Sequence, residues 1–445
     1  MQTENTLEKV GDWIRNSVML KLITISILIL LLLIPSSMVM SVISEREYLS
    51  GEATTEVSAN WANAQAINGP ILTVPIRYEY IENEKLIQNT EYFHILPNEL
   101  DIQGTVTPET LKKGIYEVVV YRSALNIKGD FSIADGYDRT HLKEVLWDQA
   151  FLTIGISDLR GIKEEILFQW DDQKIKALPG SKIPDIIKSG VSIPLANAQD
   201  LVENDKAFDF QLTLHGSQKL SFTPVGGLTT VSIDSDWSAP AFSGNFLPLD
   251  RSVSDAGFSS TWKVLQLNRN YPQSWTGNRY ADHLQSAQFG VDLILPLGDY
   301  QKSMRSAKYA IMTIALTFLI FFLVEILNKR KIHPFQYTLV GLALCLFYVL
   351  LISISEHTNF NIAYLISSVS VIGMIGLYSM SVFHHRKLSL LLTGILSGLY
   401  GFVFVTLQLS NYALLLGSVG LLLILGLTMY FTRNVNWYQL QIKTE

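Results

Sequence analysis

The chain has 445 residues, of which 48% are hydrophobic and only 17% charged, well under the quarter usual in soluble proteins. Its net charge of −6 and its lack of a basic stripe exclude a nucleic-acid-binding surface. Its one cysteine, Cys345, excludes a fold held by internal disulfides.

Residues 1–21 form a polar N-terminal segment carrying Lys9, Arg15 and Lys21. Leu22–Ile43 follows as a first apolar run containing Pro35. The long lead, with Glu4, Glu8 and Asp12, and the length of the run favour an uncleaved anchor over a cleaved secretory signal. Residues 44–308 contain no segment long and apolar enough to span a bilayer. From Glu45 to Lys308 this region has 24 Lys and Arg against 34 Asp and Glu, a net of −10.

Glu45–Ala66 predicts a helix continuing out of the first span and stopped by Asn68-Gly69-Pro70. The period then changes to two. Phe208, Phe210, Leu212 and Leu214 alternate with Asp209, Gln211, Thr213 and His215, the pattern of a strand with one wet face. Pro70–Ile81, Ile115–Arg122, Leu125–Ile133, Phe151–Ser157, Leu220–Thr223, Thr229–Asp234, Ser260–Leu267 and Phe289–Pro296 also read as strands. Turn residues such as Pro224-Val225-Gly226-Gly227 separate them, which predicts a mainly-β, sandwich-like antiparallel domain. Asp138–Trp147 and Asp158–Phe168 read as short helices.

Five further apolar runs fill residues 309–431: 309–327, 337–355, 362–383, 388–407 and 412–431. Each is about the 20 residues a transmembrane helix needs. Lys329, Arg330 and Lys331, then Arg386 and Lys387, then Arg433 and Lys443 lie in alternate breaks or in the tail. Glu356–Asn361 and Gln408–Asn411 hold no Lys or Arg. The positive-inside bias makes the basic breaks cytoplasmic. Tyr309, Tyr412, Tyr430, Trp437 and Tyr438 fall near run ends, where amphipathic rings favour the headgroup region. The expected architecture is a multi-pass α-helical membrane protein of six spans. Both termini, including the tail 432–445, are cytoplasmic. A large mainly-β extracytoplasmic domain is inserted between spans 1 and 2, which places it in the periplasm of an inner-membrane protein.

Glu325 is expected to pair with Lys329 one turn on. No charge lies near the midpoint of any span, which argues against proton-coupled transport. Gly394 and Gly398 form a small-xxx-small pair expected to serve close helix packing.

The eight His form no H-E-x-x-H pair, and no P-loop or dinucleotide fingerprint occurs. Gly155-Ile156-Ser157-Asp158-Leu159 lacks the second glycine of a nucleophile elbow, so Ser157 and Asp158 are read as strand-end and helix-cap residues. Asp171-Asp172 and Asp234-Ser235-Asp236 are read as turn residues rather than calcium ligands. Trp61, Trp147, Trp170, Trp237, Trp262 and Trp275 are read first as core, with a carbohydrate or lipid groove as the alternative. No catalytic, cofactor-binding or metal-binding residue is assigned, and no enzymatic activity is expected.

The order of parts resembles the CreD family of bacterial inner-membrane, cell-envelope-integrity proteins. The resemblance rests on Asn68–Pro75, Ser157–Ile162, Pro224–Gly227, Gly244–Pro248, Arg305–Ala310, His333–Gly341, Ser353–Thr358 and Thr432-Arg433-Asn434. It implies a role in envelope integrity and in responses to envelope stress, including β-lactams, under two-component control, with no catalytic residues to carry over. Partners are then the lipid bilayer and other envelope proteins, lipids or cell-wall components. A transporter or lipid-handling protein with an extracytoplasmic cargo domain is the alternative. Arg305, Lys308, Glu356 and His357 are expected to tie the outer domain to the membrane block.

Overall fold

A computed structural model describes residues 18–82, 85–133, 137–196, 198–295, 299–328, 332–409 and 412–433. The basic residues Lys9, Arg15, Lys329, Arg330, Lys331 and Lys443, and the ring residues Trp437 and Tyr438, lie outside them. The chain divides at Leu49/Ser50 and at Pro296/Leu297 into a helical unit and a β unit.

Among the described residues, eight α-helices occur. They are α1 Val18–Trp61, α2 Ala281–Ser286, α3 Asp299–Lys308, α4 Ala310–Leu327, α5 Pro334–Ser355, α6 Phe360–Phe383, α7 Arg386–Gln408 and α8 Ala413–Thr432. Six of them, α1 and α4 to α8, are long and apolar enough to cross a membrane. In α1 up to Ile43 the buried apolar residues are Ile25, Leu32, Val39 and Ile43, a stripe at heptad-like spacing. Ile27, Leu30, Ile34 and Met38 are exposed on the rest of the helix. A water-soluble helix would carry charge on that surface, whereas hydrocarbon accepts it.

Helix boundaries follow from capping. His333 caps α5 through Phe335 N–H···Nδ1 at 3.2 Å, and Gln336 Oε1 accepts from His333 N at 2.9 Å. Pro334 takes the first helical position, where its missing N–H costs nothing. Asn359 caps α6 by accepting from Ile362 N at 3.0 Å. Aromatic residues fill the centre of the helical unit: Phe318, Phe321, Tyr337, Phe347, Tyr364 and Tyr400 are all buried.

The β unit contains eighteen strands among the described residues. In chain order they are β1 Gln65–Glu82, β2 Lys85–Ile95, β3 Glu99–Lys113, β4 Tyr116–Phe131, β5 Leu142–Val145, β6 Phe151–Ile156, β7 Leu167–Trp170, β8 Gln173–Lys176, β9 Leu178–Pro179, β10 Gly190–Pro194, β11 Lys206–Ser217, β12 Lys219–Phe222, β13 Leu228–Ser235, β14 Pro240–Gly244, β15 Asp250–Ser254, β16 Gly257–Leu265, β17 Ser274–Thr276 and β18 Phe289–Leu293. One sheet runs β14-β18-β12-β1-β6-β10-β9, with β2 and β5 also paired to β1 and β17 paired to β2. The other runs β15-β16-β13-β3-β4-β11-β7-β8. Pairing is antiparallel except for β1 with β12 and β3 with β13. Residues of both sheets, among them Ile71, Phe93, Ile127, Phe168, Phe210, Trp262 and Phe289, share one apolar core. That core holds the domain without a disulfide.

Four local expectations are corrected. Helix α1 ends at Trp61, and Asn68-Gly69-Pro70 lies inside β1 at a register shift rather than at a helix end. Ile115–Arg122 and Leu125–Ile133 are one strand, β4, because β3 pairs along its whole length from Glu99↔Asp130 to Lys113↔Tyr116. Asp138–Trp147 is not helical: Leu142, Glu144 and Val145 pair with Tyr78, Arg77 and Ile76 of β1. Asp158–Phe168 is a single 3-10 turn, Leu159–Gly161, followed by the start of β7. At Leu142–Val145, pairing with distant chain overrode a local helical pattern.

Candidate functional site

Two clusters of buried polar groups stand out from the apolar cores. The first lies in the β unit, where the last turn of α1 meets the turn after β6. Asp158 caps that turn. Its carboxylate accepts from Arg160 N at 3.1 Å, Arg160 Nε at 2.9 Å, Arg160 Nη2 at 2.6 Å and Asn63 N at 2.9 Å. Arg160 Nη1 donates to the carbonyl of Ala59, one of the acceptors a helix leaves unpaired at its C-terminus.

Gln65 completes this clasp. Its Nε2 donates to the carbonyls of Asp158 at 2.8 Å and His215 at 3.0 Å, while its Oε1 accepts from Asp158 N at 3.2 Å. Ser157 Oγ donates to Ala64 O at 3.0 Å and accepts from Ala66 N at 2.7 Å. Trp61 stacks on His215 at 4.6 Å with 12° between the planes, and its Nε1 donates to Tyr121 O at 3.4 Å. Gly161 has no alternative here, since a Cβ would collide with Gln65 Nε2 and the His215 carbonyl.

The electrostatics follow from these contacts. The Arg160 guanidinium holds the Asp158 carboxyl down at about 2 against an ordinary 3.8. Burial, then Lys163 and Arg122, lower the pKa of His215, so the ring that stacks on Trp61 favours its neutral form.

The second cluster lies in the helical unit. Glu325, in the last turn of α4, is 1% exposed. It accepts from Lys21 Nζ of α1, from Ile332 N at 2.8 Å and from Tyr337 Oη of α5 at 2.9 Å. The expected partner Lys329 lies outside the described residues, and a cation 304 positions earlier in the chain, Lys21, is bonded to Glu325. Farther along α1, Arg46 Nε lies 3.1 Å from Oε1 of Glu356, the residue that ends α5. Lys21 and Arg46 are 25 residues apart on α1, about 38 Å of helix. The two ion pairs therefore bracket a segment slightly longer than the roughly 30 Å hydrocarbon layer.

At the span ends, Glu356 pairs with Arg46 inside the helical unit, and His357 N donates to Ile354 O in the turn that ends α5. Arg305 and Lys308 sit in the last turn of α3. Gly394 and Gly398 have nothing within 4 Å of where a Cβ would stand, so they are not a close-packing pair. Gly341 is one instead: a Cβ there would collide with Leu32 of α1.

Asp171 pairs with Lys206 at 2.9 Å and accepts from Ala207 N at 3.2 Å, in the two-residue turn joining β7 to β8. Asp234 and Asp236 are exposed at the end of β13. Trp170, Trp262 and Trp275 are buried, and Trp61, Trp147 and Trp237 are half-buried. Among the described residues, no three His, Cys, Asp or Glu side chains group as metal ligands.

A family model described as "Inner membrane protein CreD" matches residues 17–438. "Inner membrane protein CreD" of Escherichia coli K12 is 33% identical over 414 residues, covering 92% of this chain and 91% of that one. The chain belongs to the CreD family. Among solved structures, an M1 zinc metallopeptidase from Deinococcus radiodurans overlaps 38% of this chain and 39% of its own, with 13% identity and a TM-score of 0.18. A likeness that poor says nothing of fold or chemistry.

The stretches that resemble CreD proteins have structural work in this chain. Ser157–Ile162 is the clasp turn. His333–Gly341 supplies the α5 cap, the Tyr337 hydroxyl and the close approach to Leu32. Ser353–Thr358 supplies Glu356 and closes α5. Sequence reading missed Gln65, Lys21 and Tyr337 as members of these clusters. Lys21 was visible only as a flanking charge and Tyr337 only as the first residue of an apolar run.

Proposed function

We propose that this chain is a non-enzymatic inner-membrane protein that supports cell-envelope integrity and tolerance of envelope stress. Six helices lie in the bilayer, both termini are cytoplasmic, and the β unit faces the periplasm, where other envelope proteins, lipids or cell-wall components are its partners. The observation that carries this reading is the continuity of α1. Its 44 residues amount to about 66 Å, roughly twice the hydrocarbon layer. The helix therefore has length to leave the bilayer on the side of Arg46 and still end in the Asp158–Arg160 clasp. Arg386, Lys387 and Arg433 fall where the positive-inside bias puts the cytoplasm. The carboxylates of Asp158 and Glu325 are both engaged by the protein's own donors, which suits support rather than turnover.

Two measurements test this. A reporter fused after Asp200 is expected to be active only as a periplasmic fusion, and activity only as a cytoplasmic one overturns the topology. A deletion strain is expected to lose tolerance of cell-wall-active agents, with rescue by the wild-type chain and not by Asp158→Ala. Wild-type tolerance in the deletion strain overturns the envelope role.

A further inference from the structure

The β unit contains a polar, aromatic-lined cleft of about 520 Å³ that neither cluster above uses. Its volume lies in the range of about 300–1,000 Å³ usual for small-ligand sites. One part of the lining is the β1–β2 ribbon. Tyr78 and Tyr80 are two apart on β1 and share a face, and Asn89 is registered opposite Tyr78 with Glu91 two residues on. The ribbon grades outward along this face, from fully buried Ile76 through Tyr78 to half-buried Tyr80. Another part is β17 and the segment after it, with Trp275, Arg279 and Tyr280. Trp275 and Tyr280 meet edge-on at 5.7 Å.

Three observations say that this cleft is more than a surface irregularity. Trp275 is 4% exposed, so the lining includes a large ring held in place by the packing around it. Arg279 is exposed and forms no ion pair among the described residues, although Glu91 and Asp138 line the same cleft. Four large aromatic side chains line a space whose other groups are carboxylate, amide, hydroxyl, guanidinium, the His141 imidazole and Pro272.

The chemistry of the lining selects the ligand. Two carboxylates against one guanidinium disfavour an anion. The density of polar groups disfavours an acyl chain. Ring faces suit the C–H faces of a pyranose, and carboxylate and amide oxygens accept from sugar hydroxyls in charge-assisted bonds. We infer that the cleft between the β1–β2 ribbon and the Trp275–Tyr280 segment is a saccharide-binding site, with Tyr280 as stacking platform and Glu91 as hydroxyl acceptor. On the proposed topology this cleft would meet envelope glycans, but binding itself concerns the β unit and is measured independently of the reporter fusion.

The test uses full-length protein in detergent micelles, with the β-1,4-linked tetramer of N-acetylglucosamine as probe and maltotetraose as a second sugar. Saturable binding of one of them by calorimetry is expected. Glu91→Gln and Tyr280→Ala are each expected to weaken it about tenfold, the loss typical of one good hydrogen bond to a charged group or one stacked ring, with the unfolding midpoint unchanged. Trp275→Phe keeps the ring and removes the N–H. It is expected to remove the Trp275 contribution to any fluorescence change on binding while binding survives. Absence of saturation with both sugars overturns the inference. So does binding that both Glu91→Gln and Tyr280→Ala leave intact, or a cleft that instead takes a lysine-rich peptide and no sugar.

Discussion

The helical unit and the β unit solve the same problem, where to put polar groups, in opposite ways. In the helical unit the backbone is satisfied within each helix, so only a few side-chain contacts specify how helices meet. Lys21–Glu325–Tyr337 and Arg46–Glu356 lock α1 to α4 and α5 at two ends, and Gly341 lets Leu32 approach between them. In the β unit the backbone is satisfied between strands far apart in sequence, so the ladders themselves specify the arrangement. There a cluster of side-chain bonds marks the joint where helix gives way to sheet. The difference shows which substitutions each region tolerates. A helix bundle in lipid depends on few polar contacts, each with a large consequence, whereas a sandwich spreads its specificity over many strands.

The largest expected effect comes from breaking the buried triad. Glu325→Ala leaves Lys21 and the Tyr337 hydroxyl without their acceptor and is expected to cost about 3–5 kcal/mol. It should show as a lower unfolding midpoint of the helical unit in micelles. Adding Lys21→Met should restore most of that loss. If the double variant is no better than the single, the pair is not what holds α1 there. Next is Gly161→Ala, which forces a methyl into Gln65 and the His215 carbonyl and is expected to cost about 2 kcal/mol. Near-UV circular dichroism, to which the β unit's six tryptophans contribute, reads the packing around the clasp.

The pH dependence of the clasp sharpens the comparison. The folded Asp158 carboxyl lies at about 2, below its ordinary 3.8. Its stabilisation is therefore complete above pH 3.8 and is lost as pH falls toward 2. The loss is worth about 2 kcal/mol. Asp158→Asn should flatten this part of the β unit's stability profile, and an unchanged acid limb would show that other carboxylates dominate. The smallest effect is expected at the outer bracket of α1. Arg46 is 40% exposed, so reversing either charge of the Arg46–Glu356 pair should cost only about 0.5 kcal/mol. The double reversal Arg46→Glu with Glu356→Arg should recover it in a double-mutant cycle.

The membrane helices were legible because hydrocarbon imposes a local rule. A span must be apolar over about 20 consecutive residues, and each of the runs 309–327, 337–355, 362–383, 388–407 and 412–431 overlaps one helix. Period-two strands were legible for the same reason: the alternation of Phe208–His215 reports one buried face, and it lies within β11. The short helices expected at 138–147 and 158–168 failed because their fate was set elsewhere, by the free edge of β1 and by the end of α1. The pairing of Gly394 with Gly398 failed because small residues permit close packing without requiring it.

By itself, then, the sequence determined which segments are long and apolar enough to cross a bilayer and that a mainly-β domain separates the first from the rest, since both depend on patterns within a few turns of chain. Only the tertiary structure decided that Glu325 meets Lys21, that Asp158 and Arg160 hold the end of α1, and that Tyr78, Glu91 and Trp275 line one cleft. Such contacts join residues tens to hundreds of positions apart, and they depend on strand register and helix rotation, which no local pattern encodes.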